Sequence, residues 1–402
     1  VPIKCRGVIF MRYKTRTYFI AERIALIQRS KIRELFERAS KMENVISLGI
    51  GEPDFDTPQN IKEAAKKALD EGWTHYTPNA GILELRQAIK EYYKDFYGID
   101  ISESNIIVTA GAYEATYLAF ESLLEKGDEV IIPDPAFVCY VEDAKVAEAT
   151  PIRLALKEEN NFQPDPDELL ELITKRTRMI VVNYPNNPTG ATIDEKIVKA
   201  IADIAQDYNI YILSDEPYEH FLYDGAKHYP MLKYAPEHTI LANSFSKTFA
   251  MTGWRLGFAV APEEIIKGMI KLHAYVIGNV ASFIQVAGVT ALRDPKSWEA
   301  VEKMRKEYEE RREIVLNYLK EMPYIKTFEP KGAFYIFANI KETGMKSEQF
   351  SEWLLEKAKV VVVPGTAFGK QGEGYVRISY ATKKEKLIEA MERMKKALEE
   401  LK

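Results

Sequence analysis

Between residues 105 and 261 the chain repeats one pattern that restricts its fold more than any other feature. Short apolar runs occupy residues 105–110, 129–133, 179–183, 210–214 and 239–243, with another at 255–261. Each is shorter than a stable helix and β-prone, so each is predicted to be a buried strand. Helical stretches such as residues 114–124 separate them. Parallel strands need long crossovers, and helices supply them. The alternation predicts an α/β fold with a doubly wound, mostly parallel sheet. In such sheets ligands bind just outside the carboxyl ends of the strands. The residues past each run are therefore the candidates for chemistry.

Past residues 239–243 come Ser244, Ser246 and Lys247, and eight residues after the lysine comes Arg255. Hydroxyls and a guanidinium suit a phosphate, because both donate to its oxygens and Arg does so in a fork. A lysine beside such an anchor can form an imine with an aldehyde that the phosphate holds. Lys247 is thus a candidate Schiff-base lysine for pyridoxal 5'-phosphate, against the plainer reading of a surface lysine in a loop. Gly111, Ala112 and Tyr113 turn from strand into helix, where the first amides are free to meet an anion. Phe137 follows residues 129–133 and is either a ring that stacks on a planar cofactor or a core aromatic. Tyr184-Pro185-Asn186-Asn187-Pro188-Thr189-Gly190 follows residues 179–183 and is stiffened by its prolines. Asp215 lies at the end of the next run, with the phenol of Tyr218 three residues on.

A chain of 402 residues exceeds one small core and suits several domains, or one large one with an appendage. Residues 21–40 read as one or two short helices. Gly49, Gly51 and Pro53 make a turn where backbone can approach a ligand. Gly49-x-Gly51 lacks the third glycine of a dinucleotide fingerprint, so that reading is set aside. Residues 58–70 read as a helix with Thr57 as N-cap and Pro58 in first position. Tyr76 sits in the polar turn at 75–81, before a helix at 82–96, and is either a packing tyrosine or a ligand. After residue 290 the pattern changes. A long charged helix at 298–321, strands at 333–337, 360–363 and 375–380, and a last helix at 383–401 read as a smaller α+β domain, on which the N-terminal helices are expected to pack. The loop 365–370 looks like a phosphate loop but is one residue short and is set aside. The expected division is an extension at 1–20, an N-terminal segment of the small domain at 21–51, a large domain at 52–290 and a small domain at 291–402.

The net charge of −5 argues against nucleic acid as a partner, since phosphate backbones need a basic surface. Cys5 and Cys139 are far apart, with no metal-ligand spacing, so no metal is expected and a reducing cytoplasm is. No apolar run is long enough to span a membrane. The apolar run at 8–11 is too short for a signal peptide, and Met11 is a candidate start.

Taken together, Asn187-Pro188-Thr189-Gly190, Asp215-x-x-Tyr218, Ser244-x-Ser246-Lys247, Arg255 and Arg377 resemble the class I aminotransferases of the fold-type I pyridoxal-phosphate enzymes. The resemblance runs from about Ile24 to Leu398. It implies that Lys247 holds the cofactor and shuttles protons, and that Asp215 pairs with the ring nitrogen. It implies that Asn187 and Tyr218 bond the ring's phenolic oxygen, and that Phe137 stacks on the ring. Ala112, Tyr113, Ser244, Ser246 and Arg255 would hold the phosphate. Tyr76 would reach the phosphate of the other subunit, which implies a homodimer. Arg377 would fork onto the substrate α-carboxylate, with Gly51 and Asn187 nearby. Related aspartate-preferring enzymes can carry a lysine where this chain has Tyr113. The pattern is similar to archaeal aromatic aminotransferases, which implies an aromatic or broad amino donor with 2-oxoglutarate as acceptor. Aspartate as donor, or a β-lyase with the same core residues, are the alternatives. Regulators built on this fold carry a DNA-binding domain ahead of it; only about twenty residues precede the first helix here, and that reading is set aside.

Overall fold

The computed structural model describes residues 20–27 and 39–401. Met11 and the middle of the expected helical stretch at 21–40 lie outside them. The two-residue strand β1 (Ile46–Ser47) precedes seven strands that form one sheet. They are β2 (Ile106–Thr109), β3 (Glu129–Asp134), β4 (Thr150–Ala155), β5 (Thr177–Val182), β6 (Tyr211–Asp215), β7 (Thr239–Ser244) and β8 (Gly257–Val260). Their spatial order is β2-β8-β7-β6-β5-β3-β4. All run parallel except β8, which is antiparallel to both β2 and β7. The carboxyl ends of β3, β5, β6 and β7 therefore lie along one edge.

Alternation along the strands builds a core on each face. Met179 and Val181 of β5 join Val130, Leu213 and Ile240 under the helices Ala112–Leu123 and Glu263–Val276. Ile180 and Val182 point the other way and join Val198, Ile201 and Ala205 of the helix Glu195–Tyr208. Each of these Val, Ile, Leu and Met side chains contributes about 1.5–3 kcal/mol by leaving water. The strand β4 is absent from the sequence expectation. It is an edge strand, Thr150 is exposed, and Pro151 and Arg153 interrupt its apolar pattern, as is common at edges.

Four further strands, β9 (Lys326–Thr327), β10 (Tyr335–Asn339), β12 (Val363–Pro364) and β13 (Tyr375–Ser379), form an antiparallel sheet in the order β12-β13-β10-β9. Between β10 and β12 lies β11 (Val360–Val361), which pairs parallel with β1. The single strand expected at 360–363 is thus two strands, because its halves bond different partners. The helix Pro295–Glu321 starts earlier than expected, because Asp294 caps it by accepting from the Lys296 amide at 2.9 Å.

Two other expectations change. The helix Gln59–Asp70 has Pro58 at its N-cap, and Thr57 is engaged elsewhere. The Thr57 hydroxyl donates to the Ala250 carbonyl at 2.6 Å and accepts from Trp254 Nε1 at 2.9 Å, tying this turn to the segment after Lys247. The short helix Glu22–Ala25 packs on the helix Cys139–Val146, and the charge of Arg23 acts on Glu121 of the helix Ala112–Leu123. Ala39 does pack with Leu355 and Val361. Among the described residues no helix is long and apolar enough to cross a membrane.

Candidate active site

The strand β7 stops at Ser244, whose Oγ accepts from the Ser246 amide at 2.9 Å and so caps the one-turn helix Phe245–Thr248. Phe245 and Thr248 are buried, which leaves Lys247 on the face toward a cavity. Its Nζ donates to the Gly51 carbonyl at 2.5 Å. Burial lowers its pKa to about 8, and the nearby charge of Glu52 opposes the shift. A share of the amine is therefore neutral near physiological pH.

Asp215 ends β6. Its Oδ2 accepts from the Tyr140 hydroxyl at 2.5 Å, its backbone carbonyl accepts from Asn183 Nδ2 at 2.8 Å, and its Oδ1 is buried with no partner. Burial pushes its pKa up to about 6, against the opposing Tyr140 hydrogen bond. Three residues on, the hydroxyl of Tyr218 lies 2.8 Å from that of Tyr335 on β10.

Arg377 lies on β13, paired across the sheet with Phe337. Its Nη1 donates to Asn187 Oδ1 at 2.8 Å and its Nη2 to the Gly49 carbonyl at 2.7 Å. The rings of Tyr335 and Phe368 lie 4.4 and 4.9 Å from the guanidinium carbon. Its Nε is buried and unpartnered. A buried guanidinium held by neutral acceptors through two of its five N–H groups, with Nε wholly unpartnered, suits an incoming carboxylate. Asn187 is itself held by its amide, which donates to Asn183 Oδ1 at 3.1 Å.

At the far end, Arg255 adopts a left-handed backbone (φ +55°) and donates to the carbonyls of Thr252 and Ala110 at 2.9 and 3.2 Å. Gly111 has φ +82°, and a Cβ there would lie 2.5 Å from Arg255 Nη2, so the turn needs glycine. The helix Ala112–Leu123 begins directly after it.

These groups line one cavity of about 340 Å³. It brings together Lys247, Asp215, Tyr218, Asn187, Arg377, Arg255, Ser244, Ser246, Phe137, Ala112, Tyr113 and Gly51. Gly111 lies behind this wall, against Arg255. Tyr76 is not among the lining residues and is 94% exposed. Tyr140, Asn183 and Tyr335 line the cavity without a sequence signal strong enough to single them out. Tyr140 had only its position three residues after Phe137, and Tyr335 only its place in an apolar run.

The end of the loop 365–370 and the residue after it take an anion from the protein itself. The amides of Lys370 and Gln371 donate to the two oxygens of Asp134, each at 3.1 Å.

Residues 43–394 match the family model of aminotransferase class I and II. The chain belongs to that family. It is a pyridoxal-phosphate-dependent transaminase. The aminotransferase is 78% identical to the aspartate aminotransferase of Pyrococcus horikoshii over 97% of this chain and 99% of that one. It is 51% identical to aromatic-amino-acid aminotransferase 2 of Thermococcus litoralis over 95% and 99%. The solved aromatic aminotransferase of Pyrococcus horikoshii superposes with a TM-score of 0.87 at 51% identity, covering 91% of this chain and 99% of that one. The aspartate aminotransferase of Thermus thermophilus with maleate superposes with a TM-score of 0.91 at 38% identity, covering 94% and 99%. The cavity of the aminotransferase fits the cofactor in its donor set. A buried amine of lowered pKa, an unpartnered carboxylate oxygen and a guanidinium at a helix start match an aldehyde, a ring nitrogen and a phosphate.

Proposed function

We propose that the aminotransferase binds pyridoxal phosphate on Lys247 and moves an amino group from an aromatic or other L-amino acid to 2-oxoglutarate. The observation that carries this is the buried Arg377, with a free Nε, in the same cavity as the half-buried Lys247. When bound, the cofactor supplies an electron sink for the charge left on the substrate Cα. Arg377 forks onto the α-carboxylate common to amino and keto acids, with Asn187 and the Gly49–Gly51 turn fixing its plane. Lys247 Nζ takes the Cα proton, a task suited to an amine titrating near pH 8. Asp215 Oδ1 holds the proton of the ring nitrogen. Asn187 and Tyr218 bond the ring's phenolic oxygen, and Phe137 stacks on the ring. Ser244, Ser246, Arg255 and the amides of Ala112 and Tyr113 hold the phosphate, with Gly111 leaving room for Arg255.

We take residues 52–290 as the large domain, and 21–51 with 291–402 as the small one. The parallel pairing of β1 with β11 supports joining the two segments. Tyr76 and Tyr275 are each 94% exposed and Tyr113 is 54% exposed, which supports a homodimer whose second copy brings Tyr76 to the phosphate. A cytoplasmic setting fits the low cysteine usage.

Ile50, Tyr113 and Phe137 make part of the cavity apolar and aromatic, which supports aromatic donors. The 78% identity to an aspartate aminotransferase favours aspartate as a second reading. Half-reactions of the cofactor-loaded enzyme with tyrosine, phenylalanine and aspartate, followed by the bound cofactor's absorbance, separate the two. Conversion by aspartate alone would remove the aromatic reading. Keto acid released beyond one equivalent per site without an acceptor, with ammonia alongside, would instead favour a β-lyase.

A further inference from the structure

Tyr218 and Tyr335 are both buried, and their hydroxyl oxygens lie 2.8 Å apart. Each phenol has one proton, so only one of the two can lie between them. The other is free to leave the pair. Which tyrosine donates therefore decides what Tyr218 can offer the cofactor.

We infer that Tyr335 is a positioning residue: it donates its hydroxyl proton to Tyr218, leaves the proton of Tyr218 for the cofactor's phenolic oxygen, and so links that oxygen to carboxylate binding at Arg377. The inference rests on the reading of Lys247 and Tyr218 as cofactor residues.

The geometry assigns the direction. The Arg377 guanidinium lies 4.4 Å from the centre of the Tyr335 ring, and a cation over a phenol makes it the better donor. Burial raises the pKa of both phenols, but at Tyr335 the charge of Arg377 is the first effect opposing it. At Tyr218 the charge and hydrogen bond of Tyr335 add to the rise, and the charge of Arg377 opposes it only behind them. The cation over its ring assigns Tyr335 as the donor of the pair. Its hydroxyl also lies close against Gly51 on the lysine side, where a Cβ would come within 2.5 Å of it. The Gly51 carbonyl is the acceptor of Lys247 Nζ.

The consequence is a second route from substrate to cofactor, beside the bond from Arg377 to Asn187. A carboxylate on Arg377 offsets its charge and weakens the donation from Tyr335. Tyr218 then donates less to the phenolic oxygen, and the linked nitrogen of the cofactor holds its proton more tightly.

The test titrates the bound cofactor's absorbance against pH in holoenzyme, with no turnover. Wild type, Tyr335→Phe, Tyr218→Phe and the double variant are compared, each with and without saturating maleate. Tyr335→Phe keeps the ring over Arg377 and removes only the hydroxyl. It should tighten proton binding about fivefold, the worth of one neutral hydrogen bond. Tyr218→Phe should shift it further in the same direction, and adding Tyr335→Phe to that variant should change nothing. Maleate should shift wild type more than either single variant. An unmoved midpoint in Tyr335→Phe, or an equal shift in both backgrounds, overturns the inference. So does an undiminished maleate shift in Tyr218→Phe, a measurement that stands even if Tyr335→Phe does not fold. If Tyr218→Phe moves nothing, the cofactor role of Tyr218 falls with it. An absent borohydride adduct at Lys247 brings down the parent reading.

Discussion

Tyr140 donates to one oxygen of Asp215 at 2.5 Å and leaves the other buried and bare. The carboxylate is thus half satisfied by its own protein. An unpaired buried acceptor costs about 1–3 kcal/mol, and a charged one more. On the proposed role of Asp215, the apoprotein holds that cost and a protonated ring nitrogen would relieve it. Stability without the cofactor is traded for affinity toward it.

Asp215→Asn should stabilise the apoprotein and weaken cofactor binding. The sign follows from the raised pKa, about 6 against an ordinary 3.8. A raised carboxylate pKa favours the fold below the unfolded value, and that advantage is lost as pH rises through about 6. At pH 8 the wild-type apoprotein bears the full cost, at most about 3 kcal/mol, and at pH 4 it bears little. Thermal midpoints of both apoproteins at pH 4 and pH 8 should diverge only at the higher pH. A less stable variant at pH 8 would contradict the argument.

Lys247→Ala should abolish turnover and the borohydride-reducible adduct while leaving the fold intact. Removing a buried amine whose pKa is lowered to about 8 should not destabilise the apoprotein at neutral pH. Peptide mapping after reduction identifies the modified lysine, and an adduct elsewhere would remove Lys247 from its role.

Arg377→Ala should weaken amino- and keto-acid binding by about 2–5 kcal/mol, the cost of stripping one partner from a buried charge pair. Arg377→Lys should recover only part of it, because an ammonium cannot fork. Cofactor affinity should change little in either variant. Unchanged KM for every acid would exclude Arg377 as the carboxylate anchor.

Gly111→Ala places a methyl 2.5 Å from Arg255 Nη2 on a backbone at φ +82°. The strain is about 1–3 kcal/mol, and the guanidinium must move. Cofactor dissociation measured in phosphate-free buffer should speed up at least tenfold, with substrate KM at saturating cofactor nearly unchanged. Wild-type cofactor release would mean that Arg255 does not hold the phosphate.

Mixing Tyr76→Ala subunits with Lys247→Ala subunits should restore activity that neither homodimer has in full. A mixed dimer carries one site with Lys247 from one copy and Tyr76 from the other. Assays after unfolding and joint refolding should exceed the average of the two parents. Activity at that average would place Tyr76 outside the partner's site.

The chain itself determined the sheet and the lysine's neighbourhood, because both are local signals. Apolar runs of strand length mark β2, β3, β5, β6 and β7; Ser244 ends the last of them, and Ser246 and Lys247 follow within three residues of it. Signals of that kind ended at the edge strand β4, where Pro151 and Arg153 break the pattern, and at 360–363, where one apolar run serves two sheets. They ended too at Thr57, whose capping chemistry was claimed by Ala250 and Trp254, both more than 190 residues away. Only the tertiary structure placed Tyr140 on Asp215, 75 residues apart, and Tyr335 on Tyr218, 117 apart. Such pairs share no period and no motif. They exist because parallel strands and an antiparallel sheet meet at one cavity, where unpaired polar atoms must find partners across the chain.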